Sequence, residues 1–163
     1  MKRRHALGML GLGMLAGCGF ELRRAPELRF RSIALAGFAA KSPLAAELRS
    51  TLAASTTTTL VEAAPQAQVI LESLADGREK SVVASTAFGE VRELQLRSRF
   101  NFRLRTPQGR ELIPPTEILL SRDMSYRETA ALAKEQEEAA LYRSMQNDIV
   151  AQVMRRLAAV PAL

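Results

Sequence analysis

From Leu94 to Arg105 apolar and polar residues alternate almost without a break. Leu94, Leu96, Ser98, Phe100, Phe102 and Leu104 share one parity; Gln95, Arg97, Arg99, Asn101, Arg103 and Arg105 share the other. A period of two over this length predicts a long β-strand with one face buried and one face wet and basic. The "TPQG" stretch, Thr106 to Gly109, has turn chemistry. A strand returns over Glu111–Leu120, and Pro114 and Pro115, which cannot donate to a ladder, place it at a sheet edge or a bulge. Two readings fit the chain upstream. Asp76-Gly77 is a strong hairpin signal, but a turn there leaves only Lys80 to Ala87 to pair with the long strand. One strand from about Gln68 to Ala87, bulged at Asp76–Arg78 and turning at Phe88-Gly89, offers a partner of matching length and is preferred.

The remaining periodicity is helical. In "KSPLAAELRSTLAAS" Ser42 is a good N-cap and Pro43 sits at the first helical position, where its missing N–H costs nothing. Leu44, Leu48 and Leu52 then form one stripe, and the run Ser55 to Thr59 ends the helix. Before it, Leu28 to Leu35 reads as a strand broken by Gly37. Ser125 to Glu128, "SYRE", has the spacing of a capping box. It opens a long helix to about Leu157, striped by Leu141, Met145, Ile149, Val153 and Leu157, with Arg155 and Arg156 at its negative pole. The order β-α-β-β-β-α predicts an α+β fold, with two helices packed on one face of a four-stranded, mainly antiparallel sheet.

The first residues follow a different logic. Lys2, Arg3 and Arg4 precede an uncharged apolar run, Ala6 to Ala16, far shorter than the roughly 20 residues a membrane-spanning helix needs. A basic head, a short apolar stretch and small residues read as a secretory signal peptide. The small residues lead straight into Cys18, the only cysteine of the chain. "LAGC" resembles the lipobox of bacterial lipoproteins, which implies cleavage after residue 17, a diacylglyceryl thioether on Cys18 and acylation of its new amine. Residues 1–17 are then a lipoprotein signal peptide and residues 18–163 a single mature domain. The lone thiol becomes an anchor and leaves no disulfide partner. Two or more acyl chains hold a protein stably at a membrane. Gly19 stands where, in enterobacterial lipoproteins, an acidic residue favours retention at the inner membrane, so the destination points outward.

Charge and chemistry narrow the function further. The basic head contributes half of the formal +6, and the mild excess left on the mature chain does not argue for nucleic acid, although it suits an anionic partner such as lipid phosphate. The sequence holds no GxSxG, no phosphate-binding loop and no metal-spaced His/Cys cluster, and its one histidine, His5, lies in the signal peptide. Carboxylates at Glu135, Glu137 and Glu138 read as a solvated helix face. No constellation for an enzyme can be assembled, and no cofactor or metal is expected.

Four stretches in order, "CGFELR" from Cys18, "REKSVVASTAFGEVRELQLRSRFNFRL" from Arg78, "SRDMSYRE" from Ser121 and "ALAKEQEEAALYRSMQNDIVAQVMRRL" from Ala131, resemble the LPS-assembly outer-membrane lipoprotein family LptE over nearly the whole mature chain. The resemblance implies a non-enzymatic plug inside a large LptD-like β-barrel. Such a plug helps the barrel assemble and binds lipopolysaccharide during its transfer to the outer leaflet. It also implies basic lipopolysaccharide-binding residues at two places. One carries over to Lys134 in "ALAKEQ", whose bland alternative is pairing with Glu138 at i+4. The other is expected just before the hairpin glycine, but Ala87 and Phe88 precede Gly89, and Arg92 on the other arm is the nearest basic substitute. Both candidates are expected to be exposed. For Arg97, Arg99, Arg103 and Arg105, solubility or contact with a barrel wall is preferred over lipid binding. The rival readings are an auxiliary lipoprotein of a different envelope lipid-transport system and a surface hydrolase, for which no nucleophile–base pair is visible.

Overall fold

The structure is a computed structural model and describes residues 27–162. Strand β1 (Ser32–Ala36) leads through helix α1 (Pro43–Ala53) to a two-residue strand β2 (Thr59–Leu60). Three long strands follow, β3 (Val69–Ser85), β4 (Val91–Arg105) and β5 (Glu111–Ser125), and helix α2 (Ala131–Ala158) comes last. One five-stranded sheet has the order β2-β1-β3-β4-β5. β1 runs parallel to both β2 and β3, whereas β3, β4 and β5 form an antiparallel meander.

The α+β class and the two covering helices agree with the sequence reading; the strand count and the mainly antiparallel pairing are corrected. The threonine run that ends α1 also supplies a fifth strand. Thr58 Oγ1 donates to the Phe30 carbonyl at 2.7 Å, and Thr59 N–H donates to that of Arg31 at 2.8 Å. The parallel pairing follows from α1, because a helix between two strands carries the chain back to start again at the same end. β1 also begins later than expected: Leu28 and Phe30 are buried in the core but precede Ser32.

α1 starts as its sequence predicts. The Ser42 hydroxyl accepts from Ala45 N–H at 3.1 Å, Pro43 opens the helix, and Leu44, Leu48 and Leu52 are buried. The even residues of β4 lie under the helices, where Phe102 stacks on Phe100 at 5.2 Å and Phe100 on Phe38 at 5.8 Å. This main core joins β1, β3, β4, α1 and the C-terminal half of α2. A smaller cluster of Leu94, Leu96, Met124, Tyr142 and Met145 continues it toward the β3–β4 turn.

β3 is the single long strand of the preferred reading, and Asp76-Gly77 is not a hairpin turn. The irregularity is displaced, however. Asp76, Gly77 and Arg78 pair in regular order with Phe100, Arg99 and Ser98, and the register slips at Leu74 instead. Gly37 explains part of the crowding there: its φ is +75°, and a Cβ on it would run into the Ser73 carbonyl oxygen, so only glycine fits. β5 is an edge strand that also slips register around Pro114 and Pro115, as those prolines require. It runs on to Ser125, which consumes the expected capping box. Ser125 pairs with Glu93, a 3-10 turn occupies Glu128–Ala130, and α2 begins after Ala130 with no side-chain cap.

Candidate functional site

The turn between β3 and β4 closes with Thr86 N–H on the Glu90 carbonyl at 2.8 Å and Gly89 at φ +82°, as the sequence predicts. Phe88 stands at its tip, 95% exposed. Arg92 follows two residues after Glu90 and pairs with its carboxylate at 3.0 Å. The β4–β5 ladder sets Glu93 opposite Ser125, and Tyr126 N–H donates to the Arg92 carbonyl at 2.8 Å. Lys134, one turn into α2, donates from Nζ to Ser125 Oγ at 3.1 Å and to Glu137 Oε2 at 2.7 Å. Both candidate residues therefore sit at the same end of the sheet, where Arg92, Arg127, Glu90 and Glu128 line a depression of about 550 Å³ that Lys134 does not reach. Arg92 is exposed, as expected. Lys134 is not: its side chain is only 17% exposed, folded against Ser125 and Glu137. The i+4 partner weighed for it, Glu138, instead holds Lys80 of β3 at 2.9 Å.

That last contact belongs to a polar seam that the sequence reading missed. From the bulge onward β3 has lost its apolar alternation, and its helix-side residues are tied down by long polar side chains. Ser42 Oγ donates to Asp76 at 2.7 Å, Arg78 donates to Gln146 at 2.8 Å and lies 5.0 Å over the Tyr142 ring, and Tyr142 Oη donates to the Glu79 carbonyl at 2.8 Å. The hydrogen bond to Glu138 raises the Lys80 pKa, and burial raises that of Tyr142. Asp76, Arg78 and Lys80 share a parity, and that was the available signal for the seam.

The opposite face of the sheet carries the arginines of β4. The expectation of a wet, basic face holds for the strand alone, because neighbouring strands bring carboxylates. Glu72 accepts from Arg103 and Arg105 at 2.8 Å each, and Arg99 stands between Glu79 at 3.2 Å and Glu117 at 3.9 Å. Arg97 donates to Gln95 at 2.8 Å and, among the described residues, is in no ion pair. The hydrogen bonds from Arg103 and then Arg105 hold the Glu72 carboxyl below its ordinary pKa. A depressed carboxyl contributes stability above its unfolded pKa and loses it as pH falls through the native value. Glu72→Gln should therefore cost on the order of 1 kcal/mol near neutral pH and almost nothing in acid below the carboxylate range. Urea melts at the two pH values check this; an equal loss at both would contradict it.

Cys18 and residues 1–17 lie outside the described residues. Comparison with known proteins places the rest. Residues 30–157 match the family described as LptE, lipopolysaccharide-assembly. The chain is similar in structure to an uncharacterized lipoprotein B from Nitrosomonas europaea, with 31% identity, a TM-score of 0.73 and coverage of 86% of this chain and 91% of that one. It shares the fold of rare lipoprotein B from Shewanella oneidensis (22% identity, TM-score 0.67, coverage 79% and 95%). The same holds for a minor lipoprotein from Acinetobacter baumannii (22% identity, TM-score 0.65, coverage 81% and 93%). No curated protein matches the chain. A sequence match over most of the described residues, together with the shared fold, makes the chain a member of the LptE family of lipopolysaccharide-assembly lipoproteins.

Proposed function

We propose that this chain is an outer-membrane lipoprotein, cleaved before Cys18 and anchored through it. Its domain, residues 18–163, seats inside a large LptD-like β-barrel, helps that barrel assemble, and binds lipopolysaccharide as the lipid passes to the outer leaflet. It acts by binding and not by catalysis. The observation that carries this reading is the family match over residues 30–157. Among the described residues no helix is long and apolar enough to cross a membrane, so in this proposal the acyl chains on Cys18 supply the anchor.

Arg92 and Lys134 are the proposed contacts to lipopolysaccharide, whose lipid A phosphates favour charge-assisted bonds with cations. Their grouping at the turn end of the sheet supports the assignment, and their pairing with Glu90 and Glu137 sets its terms. A phosphate must share or displace those carboxylates. Reversing both residues to Glu replaces attraction by repulsion. Binding of purified lipopolysaccharide should weaken at least about tenfold, equivalent to about 1.4 kcal/mol. Lys134→Glu also sets a carboxylate beside Glu137 and should cost about 0.5 kcal/mol of stability, so thermal melts and the neutral Lys134→Gln accompany the titration. Arg103→Glu, on the opposite face, should leave lipid binding intact. Unchanged affinity in the double variant would refute the assignment; lost affinity in the Arg103 variant alone would move the site to the sheet face.

A further inference from the structure

The molecule is electrically lopsided along its length, and the lopsidedness coincides with where the anchor enters. Ile33 of β1 pairs with Val69, Ile70 with Arg105, and Arg105 with Glu111. The entry to β1, the start of β3 and the β4–β5 turn therefore lie side by side at one end of the sheet. Arg31 is fixed there by its N–H on Gln68 Oε1 at 2.6 Å, and Arg110 by its carbonyl, which accepts from Thr106 N–H at 2.9 Å. Strands stand about 4.8 Å apart, so these two positions are within roughly 15 Å of each other. Arg29 lies two residues before Arg31, between the buried Leu28 and Phe30. Arg29, Arg31 and Arg110 are exposed, and among the described residues none is in an ion pair. Of the carboxylates at this end, Glu72 holds Arg103 and Arg105, Glu111 faces Arg103 at 3.7 Å, and Glu27 and Glu62 are exposed.

The far end has the opposite balance. Arg92, Arg127 and Lys134 share that end with Glu90, Glu93, Glu128, Glu135 and Glu137, and Arg92 pairs with Glu90 and Lys134 with Glu137. Fifteen residues of β4 separate the two ends, roughly 50 Å at the rise of an extended strand. Only eight residues, 19–26, separate Cys18 from Glu27, and they include Arg23 and Arg24. Fully stretched, the nine steps from Cys18 to Glu27 reach about 30 Å. A lipid on Cys18 thus confines the basic end, and not the far one, to the neighbourhood of the bilayer.

We propose that, before the domain is seated in a barrel, Arg29, Arg31 and Arg110 form a docking surface for the anionic phospholipid headgroups of the leaflet that holds the acyl chains. This orients the domain so that the β3–β4 hairpin projects away from that leaflet. The proposal rests on the anchor reading for its tether and on the charge distribution for its orientation. An anionic surface attracts each nearby basic residue by a factor of roughly five, and the attraction fades within a Debye length, about 8 Å at physiological salt. The tether lengthens the time the surface spends within that range, and the surface chooses the orientation.

The chain contains no tryptophan, so a single introduced indole reports its own surroundings. The exported, mature protein carrying Gln108→Trp, in the β4–β5 turn, is reconstituted into vesicles of phosphatidylcholine with and without a minority of phosphatidylglycerol. The emission should shift to the blue, and become quenchable by brominated lipid, only when phosphatidylglycerol is present, and the shift should vanish in high salt. Phe88→Trp, at the far tip, should show no shift in either vesicle. The triple reversal Arg29→Glu, Arg31→Glu, Arg110→Glu should abolish the Gln108→Trp shift, and the milder triple change to Gln should reduce it; circular dichroism checks that both fold. An unshifted Gln108→Trp, a shift that survives the triple reversal, or a shift at Phe88→Trp would overturn the proposal. Mass spectrometry of the same samples reads the acyl chains directly, so a failed anchor reading is seen separately. A chain without acyl groups, added to the vesicles from solution, still decides the docking surface by the same emission.

Discussion

Truncating Phe102 to Ala should lower the unfolding free energy by about 3–5 kcal/mol. Phe102 is fully buried, stacks on Phe100 at 5.2 Å, and belongs to the cluster in which both helices meet the sheet. Its removal forfeits the transfer energy of the ring and leaves a cavity that flanking strands cannot collapse, because β4 is paired on both sides. A domain of ordinary stability has about 5–15 kcal/mol in total, so the variant should lose a third of it or more. Leu119→Ala on the open face, where Leu119 is 51% exposed, is the control and should stay within about 0.5 kcal/mol. Urea unfolding followed by circular dichroism measures both. A loss below about 1 kcal/mol for Phe102→Ala would mean that the helices do not close over this face.

Cys18→Ser should abolish acylation altogether and leave an uncleaved precursor or a soluble species. The thioether needs the sulfur nucleophile; a serine hydroxyl has a far higher pKa and offers no thiolate. Because Cys18 is the only cysteine, no other side chain can take over. Metabolic labelling with an alkyne fatty acid reads the outcome, and equal labelling of variant and native chain would contradict the lipoprotein reading. The unlipidated variant should still bind the barrel, since a plug is held by its buried surface, and a standard interface buries roughly 1,600 Å² in total. Failure of a folded, unlipidated domain to bind would give the anchor the larger part.

Parts of this fold could be read in the sequence because a single physical cause acted alone. The period-two pattern of Leu94 to Leu104 has one explanation, burial of one strand face, and β4 obeys it. Ser42 and Pro43 make the start of α1, and Gly89 the turn, by local chemistry. Other parts depend on partners distant in the chain. A two-residue strand such as Thr59–Leu60 is too short to show a period, and it exists only because β1 offers an edge. The slip at Leu74 answers to the main-chain crowding of Ser73 against Gly37, 36 residues away, and not to the Asp76-Gly77 turn signal. Ser125 looked like a helix cap because its competing role, the pairing with Glu93, is set by how far β5 extends. The arginines of β4 looked basic because their carboxylate partners come from strands before and after. Of the proposed site, the resemblance offers Lys134 directly and Arg92 only as the nearest basic substitute, and the partners that occupy their charges, Glu137 and Glu90, become visible only with the geometry.

If this lipoprotein works inside a large outer-membrane β-barrel, as proposed, the two should leave the membrane together. Affinity capture of the tagged chain from detergent-solubilised outer membranes tests it most directly, with the captured proteins identified by mass spectrometry. One large β-barrel protein should be recovered in stoichiometric amount. Recovery of an inner-membrane permease with no barrel would contradict it and support an auxiliary role in a different lipid-transport system.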